Sequence, residues 1–221
     1  MLRLEKKQPS QEISLAQAVG PLTFMAEWEH PDDTRQDDLD LRAGILLPDG
    51  RMRWLAASHP GALDSAPHAR HLGDAVATED GCRQREVIEV DPQISRSAGG
   101  PVAIVFSVYS ATSSGKVPIT SLRPGVRILH EGGEIDARLE PRDTTSRGVY
   151  TYILCVADFV GDKVEIRPSG MTSPRGSEAT PWLRRRHGEL LESFDGVPVY
   201  KRGRGFLGRL FGGGGRGYVN V

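Results

Sequence analysis

Two groups of acidic residues are the side chains in this sequence best suited to chemistry. Asp38 and Asp40 lie two positions apart in an alternating segment, so on a strand both carboxylates would project from one face. Asp74, Glu79 and Asp80 form a second group around two glycines. Ca²⁺ binds about six to eight oxygen ligands in proteins. The sequence therefore predicts a metal site formed by these five carboxylates if the fold brings the groups together.

Basic residues close to the acidic groups argue against a strong site. Arg42, Arg83 and Arg85 lie within a few positions of the carboxylates, and their guanidinium groups would repel a cation or pair with the acids. We therefore predict weak Ca²⁺ binding or none, with an arginine in the place of the cation as one possibility. Spacing alone favours the alternative, an ordinary solvated acidic edge that discourages pairing between molecules.

The other reactive side chains support catalysis poorly. His68 and His71 could chelate zinc together only on a helix, and we expect a loop or strand there. Neither Cys82 nor any serine lies in the sequence context of an activated nucleophile, and the spacing of Cys82 and Cys155 does not suggest a metal site. No pattern resembles a phosphate-binding loop. We predict a protein that is not an enzyme.

Alternation of apolar and polar residues dominates the first three quarters of the chain. Leu22–Trp28, Asp38–Leu47 and Val149–Phe159 each place apolar side chains on one face of a strand. Val102–Tyr109 is apolar at nearly every position, which is typical of a central strand covered on both faces. Glycine-containing turn sequences separate such segments. We predict an all-β fold, a β-sandwich of two mostly antiparallel sheets.

Composition and charge limit the partners. The chain has 221 residues and a net charge of −1, so no overall positive field exists to hold nucleic acid. No apolar run approaches the length of a membrane-spanning helix. We expect a cytoplasmic protein, with the membrane surface as an alternative location.

The last quarter of the chain has a different composition. We divide the sequence into a sandwich at residues 1–167, an insertion at 168–204, and a tail at 205–221 that packs back on the sandwich. Thr180-Pro181 resembles a helix start. Apolar residues then recur at helical spacing, so the insertion is expected to contain an amphipathic helix around Trp182–Phe194. Basic side chains that could contact an anionic membrane surface are Arg184, Arg185, Arg186, Lys201, Arg202 and Arg204.

Several motifs together resemble the TerD family of tellurite-resistance and stress-response proteins. Phe24–Trp28 is similar to an early strand of the family, and Asp38–Leu41 is similar to its aspartate signature. His71–Asp74 resembles the start of its acidic loop, Ile104–Val108 its central strand, and Tyr218–Val221 its usual end. The resemblance implies a β-sandwich, calcium binding in the acidic loops and no catalytic residues. It also implies protein partners from stress-response or tellurite-resistance operons, close to the inner membrane surface.

The sequence departs from the family pattern at the predicted metal ligands. Arg42 stands where an acidic residue is usual, Ala75 where asparagine is usual, and Cys82–Arg85 where an acidic run is usual. These departures again favour a weakened calcium site. The resulting hypothesis is a TerD-like binding or scaffold module, and the alternatives are a membrane-surface adaptor and a calcium sensor.

Overall fold

A computed structural model describes residues 2–3, 10–29, 39–77, 83–110, 119, 124–130, 133–137, 149–174 and 179–194. The strands are β1 (Leu2–Arg3), β2 (Gln11–Ser14), β3 (Leu22–Glu29), β4 (Leu39–Leu46), β5 (Met52–Leu55), β6 (Gly61–Ala62), β7 (Ala69–His71), β8 (Val76–Ala77), β9 (Arg83–Val90), β10 (Val102–Ser110), β11 (Gly125–His130), β12 (Gly133–Ala137), β13 (Thr151–Val160), β14 (Lys163–Pro168), β15 (Trp182–Arg186) and β16 (Glu189–Ser193). One short helix, α1, spans Ile94–Ser97.

The strands form two large sheets that pack face to face. The first sheet has the order β1-β12-β11-β3-β9-β7-β6, with β8 paired to β9, and the second has the order β2-β14-β13-β10-β4-β5. Among the strands that the structure describes, all pairs are antiparallel except β1 with β12. Inward-facing side chains of both sheets form one core, in which Phe24 and Phe106 stack with ring centroids 4.0 Å apart. The predicted all-β sandwich is confirmed.

The two-residue periodicity correctly identified which faces are buried. On β3, Leu22, Phe24, Ala26 and Trp28 all belong to the core between the sheets. On β4, the core residues are Leu39, Leu41, Ala43 and Ile45. Each of these side chains is at most 2% exposed. Strand pleating therefore places Arg42 on the other face of β4, whereas Asp40, at the start of the strand, is close enough for its carboxylate to approach that of Glu86 on the first sheet.

A hairpin formed by β15 and β16 covers the outer face of the second sheet. Leu183 on β15 is fully buried there. It belongs to a second apolar cluster whose buried members are Leu46, Ala103, Val105, Ile153, Val156 and Leu183. Strand β10 is therefore buried on both faces, as its continuous apolar sequence predicted.

The predicted helix around Trp182–Phe194 is wrong, because this segment forms the β15–β16 hairpin. His187 and Gly188 join the strands, and both have positive φ angles of 51° and 84°. Positive φ at both central residues is the geometry of the two-residue turns that suit twisted hairpins. Pairing in a hairpin places Leu183 on the apolar face of the second sheet, which needs a cover. That tertiary contact outweighs the helical spacing of the apolar residues.

Polar and aromatic contacts attach the hairpin to the second sheet. Arg185 donates from Nη1 and Nη2 to the two carboxylate oxygens of Asp158, over 3.1 and 2.6 Å. Trp182 lies against Trp54, with ring centroids 6.4 Å apart. Arg185, predicted to contact a membrane surface, is thus engaged within the protein. Arg184 and Arg186 are on the exposed side of the hairpin.

Several predicted residues lie outside the described part of the chain. They are Asp38, Glu79, Asp80, Lys201, Arg202, Arg204 and the tail at 205–221. The predictions made for them stay predictions. Within the described ranges, no helix has the length and apolar character needed to cross a membrane.

Candidate cation site

The two sheets approach each other closely where β4 begins. On β9, Glu86, Ile88 and Val90 are buried and face the interior, so the carboxylate of Glu86 projects between the sheets. Strand β5 pairs with β4 only from Ala43 onward and stops short of Leu41. There the Leu41 N–H donates to Glu86 Oε2 over 2.6 Å, so a side chain of the first sheet binds the backbone of the second.

His71 is the second buried polar residue at this place. It lies opposite Ile88 in the β7–β9 pair, and its side chain is completely buried. Its Nε2 is 3.3 Å from Glu86 Oε2, and its Nδ1 accepts a hydrogen bond from the Gly73 N–H over 3.1 Å. The imidazole therefore contacts both β9 and the loop that follows β7.

Three carboxylates converge here. Asp40, Asp74 and Glu86 can each offer an oxygen such that the three atoms lie within 4.8 Å of one another. The three side chains differ in solvent exposure: Glu86 is buried, Asp40 is partly buried and Asp74 is exposed. The buried Glu86 Oε1 has no hydrogen-bond partner. Asp74 Oδ1 accepts from the Ala75 N–H over 3.2 Å. Hard oxygen donors with an unused buried oxygen suit a divalent cation.

The structure brings together two of the five predicted ligands, Asp40 and Asp74. It adds Glu86, which the sequence analysis missed. The alternation of Glu86 with Ile88 and Val90 was the signal that could have identified it, since a carboxylate on the apolar face of a strand must project into the core.

Burial controls the electrostatics of Glu86. Loss of solvation raises the pKa of Glu86 above its ordinary value, while His71 and the Leu41 N–H partly oppose that shift and the negative charge of Asp40 adds to it. The net direction is upward, so the ionised carboxylate is unfavourable here without a positive partner. A bound cation would supply one.

The arginines on β9 were predicted to compete with a cation, but they lie on the opposite face of the sheet from Glu86. Arg83 and Arg85 alternate with Glu86 and so lie on the outer face of the first sheet. There Arg83 Nη1 is 3.6 Å and Arg127 Nη2 is 3.4 Å from Glu27 Oε2. Because Arg83 and Arg85 are on the other side of the sheet, the physical basis for predicting that they displace a cation is weaker.

Arg42 also engages a group outside the carboxylate cluster. Its guanidinium stacks over the ring of Tyr109, with 3.1 Å between Cζ and the ring centroid. The residue is buried on the outer face of the second sheet. A cation–π contact of this kind stabilises the guanidinium where it lies.

The remaining reactive residues lie elsewhere. His68 is in a turn with φ of 60°, and its Nδ1 is 3.3 Å from the Leu63 carbonyl oxygen, while His71 is on a strand. The expectation of a loop or strand for this pair is confirmed. Cys155 is buried, and burial first and the charge of Glu192 second raise the pKa of its thiol, so its reactive thiolate is suppressed.

The fold and the site together define a two-sheet β-sandwich with a carboxylate cluster where the sheets meet. No family model matches the chain, and the comparison with curated proteins finds no match. The similarity to TerD proteins therefore stays a prediction from the sequence motifs.

Proposed function

We propose that this protein is a non-enzymatic, TerD-like binding module that binds a divalent cation weakly through Asp40, Asp74 and Glu86. The unpartnered, buried Oε1 of Glu86 beside two further carboxylates is the observation that supports the proposal most directly. A buried acceptor with no partner is costly, and a cation would remove that cost.

Ligand count and exposure point to modest affinity. Glu86 Oε2 already accepts from Leu41, which leaves Oε1 as the oxygen available to a cation. Asp74 is exposed, so water competes at the outer side of the site. Calcium sites with low ligand charge and little rigidity lie at the weak end of the range, with dissociation constants of about 10⁻⁴ to 10⁻³ M. Ca²⁺ suits this irregular geometry better than Mg²⁺, which needs near-ideal octahedral coordination.

The ligands belong to different parts of the fold, which suggests what cation binding achieves. Asp40 is on the second sheet, Glu86 on the first, and Asp74 on the loop after β7. A cation held by all three would fix this loop, and Leu72 on the same loop is 52% exposed. The proposed module thus presents a cation-stabilised loop to a protein partner. The resemblance to TerD proteins adds the expectation of a partner from a stress-response or tellurite-resistance system.

The test is a Ca²⁺ titration of the ¹⁵N-labelled protein followed by NMR. We expect saturable shifts around residues 40, 74 and 86, lost in Asp74→Asn. Asp49→Asn is the matched control, because Asp49 is an exposed carboxylate in the turn after β4, beyond the strand end opposite Asp40. The absence of shifts at millimolar Ca²⁺ would refute the cation site, and sub-micromolar binding would refute its weakness.

A further inference from the structure

The two ring nitrogens of His71 engage two different parts of the proposed site. Nε2 is 3.3 Å from Oε2 of Glu86, the deepest carboxylate. Nδ1 accepts from the N–H of Gly73, the residue before Asp74, the outermost carboxylate. One buried imidazole therefore spans the distance between the inner and the outer ligand.

The loop conformation at Gly73 makes this second contact specific. Gly73 has a φ of 112°, in the left-handed region that side chains rarely adopt. No heavy atom lies within 4 Å of a Cβ built there, so the backbone conformation is what requires glycine. The hydrogen bond to His71 anchors the turn from which the carboxylate of Asp74 projects.

The contact also determines where the imidazole carries its proton. A backbone N–H can only donate, so Nδ1 must present its lone pair. In the neutral ring the proton is then on Nε2, on the side of Glu86 Oε2. This arrangement places Nε2 3.3 Å from Oε2, the oxygen that accepts from Leu41, and leaves Oε1 without a hydrogen-bond partner and available as a ligand.

We infer that His71 is the positioning residue of the cation site, coupling the orientation of Glu86 to that of the Asp74 loop. The inference rests on the proposed cation site and extends it, because His71 itself contributes no ligand atom to the cluster. Residues that contact a metal ligand without binding the metal themselves typically change metal affinity by about 10-fold to 100-fold when they are replaced.

Two substitutions separate the two contacts of the ring. In His71→Asn the side-chain carbonyl can occupy the position of Nδ1 and accept from Gly73, but the side chain cannot reach Glu86. In His71→Gln the amide can reach Glu86 and donate, but it offers Gly73 no acceptor at the position of Nδ1. If the ring couples both ends, each variant weakens Ca²⁺ binding by about 10-fold to 100-fold in an NMR-monitored titration.

The control is His59→Asn, which changes an exposed histidine that contacts Ser58. It should leave the Ca²⁺ affinity unchanged. Equal affinity of wild type, His71→Asn and His71→Gln would overturn the coupling while leaving the cation site intact. A wild-type protein that binds no Ca²⁺ would instead overturn the proposed function, and the inference with it.

A measurement on the wild-type protein guards against variants that do not fold. Long-range ¹H–¹⁵N spectra distinguish the two neutral tautomers of a histidine ring. We expect His71 to carry its proton on Nε2 in the Ca²⁺-free protein. Protonation on Nδ1 alone would contradict the Gly73 hydrogen bond and refute the positioning role.

Discussion

At the scale of single residues, Glu86 is an acidic group in a buried position, where the loss of solvation makes its ionised form costly. Its pKa is raised because burial removes water from the carboxylate, and the hydrogen bond from Leu41 does not compensate fully. Proteins tolerate such groups mainly where they serve a function. We therefore predict that replacing Glu86 raises the stability of the folded protein and removes cation binding.

Glu86→Gln should stabilise the cation-free protein at pH 7 and abolish Ca²⁺ binding. Glutamine retains an acceptor for the Leu41 N–H but removes the buried charge, and we expect a gain in the free energy of unfolding of about 1–2 kcal/mol. Urea unfolding in EDTA measures the stability, and the Ca²⁺ titration measures the binding. A less stable variant would contradict the unfavourable state of the ionised carboxylate.

The pH dependence of the same residue has a definite sign. Because the folded pKa of Glu86 is above its unfolded value near 4.5, its stabilising contribution is full below pH 4.5 and is lost as the pH rises through the folded pKa. The stability difference between Glu86→Gln and wild type should therefore be larger at pH 7 than at pH 4. Unfolding curves at both pH values without Ca²⁺ check this, and a constant difference would contradict it.

The sequence revealed the residues of the site only in part, for a physical reason. Asp40 and Asp74 stood out because other acidic residues lie close to each of them in the sequence. Glu86 was hidden beside arginines, and its role depends on the contact between the two sheets, which strand periodicity does not specify. The tautomer of His71 depends on the Gly73 turn and was equally inaccessible.

At the scale of elements, the hairpin turn holds a histidine in a left-handed backbone conformation. His187 has a φ of 51°, and asparagine tolerates this left-handed conformation better than histidine. We expect His187→Asn to raise the free energy of unfolding by up to about 1 kcal/mol, measured by urea unfolding. His59→Asn is again the control, and a loss of stability in His187→Asn would argue against this turn geometry.

A second prediction at this scale concerns the fit between β4 and β5. A Cβ at Gly44 would lie 2.5 Å from the ring of Trp54, so Gly44 is what allows this indole to lie across the strand. Gly44→Ala should cost about 1–3 kcal/mol of stability and alter the tryptophan fluorescence. Gly20→Ala, where nothing lies within 4 Å of the added carbon, should have little effect. An unchanged Gly44→Ala protein would contradict this packing.

The strands and the hairpin show where periodicity is informative. Alternation identified β3, β4 and β13 from an apolar face that extends over many residues, and a continuous apolar run identified β10. Between Trp182 and Phe194 the same apolar residues fit a helix and two short strands, so periodicity alone could not decide. The deciding features were the His187-Gly188 turn and the exposed apolar face of the second sheet, and the latter exists only once the sandwich has formed.

At the scale of the whole molecule, the cation ligands link both sheets. A ligand that binds only the folded state stabilises it by about 2.7 kcal/mol when its concentration is 100 times its dissociation constant. For a chain of this size that corresponds to a rise in melting temperature of roughly 5–10 °C. Differential scanning calorimetry with Ca²⁺ and with EDTA measures the rise. Asp74→Asn should abolish it and Asp49→Asn should not, and an equal rise in both variants would indicate nonspecific ion effects.

The hairpin has a practical consequence for how the chain can be shortened. A fragment ending at residue 167 would lose the backbone hydrogen bonds that Ile153 makes with Gly170 and Met171, and it would uncover Val105 and Val156. Large apolar patches that are exposed to solvent on a sheet promote aggregation. Expression trials should therefore keep the chain through residue 194. Insolubility of the shorter fragment would indicate loss of the β15–β16 hairpin, the third layer of the fold, rather than a failure of the sandwich to fold.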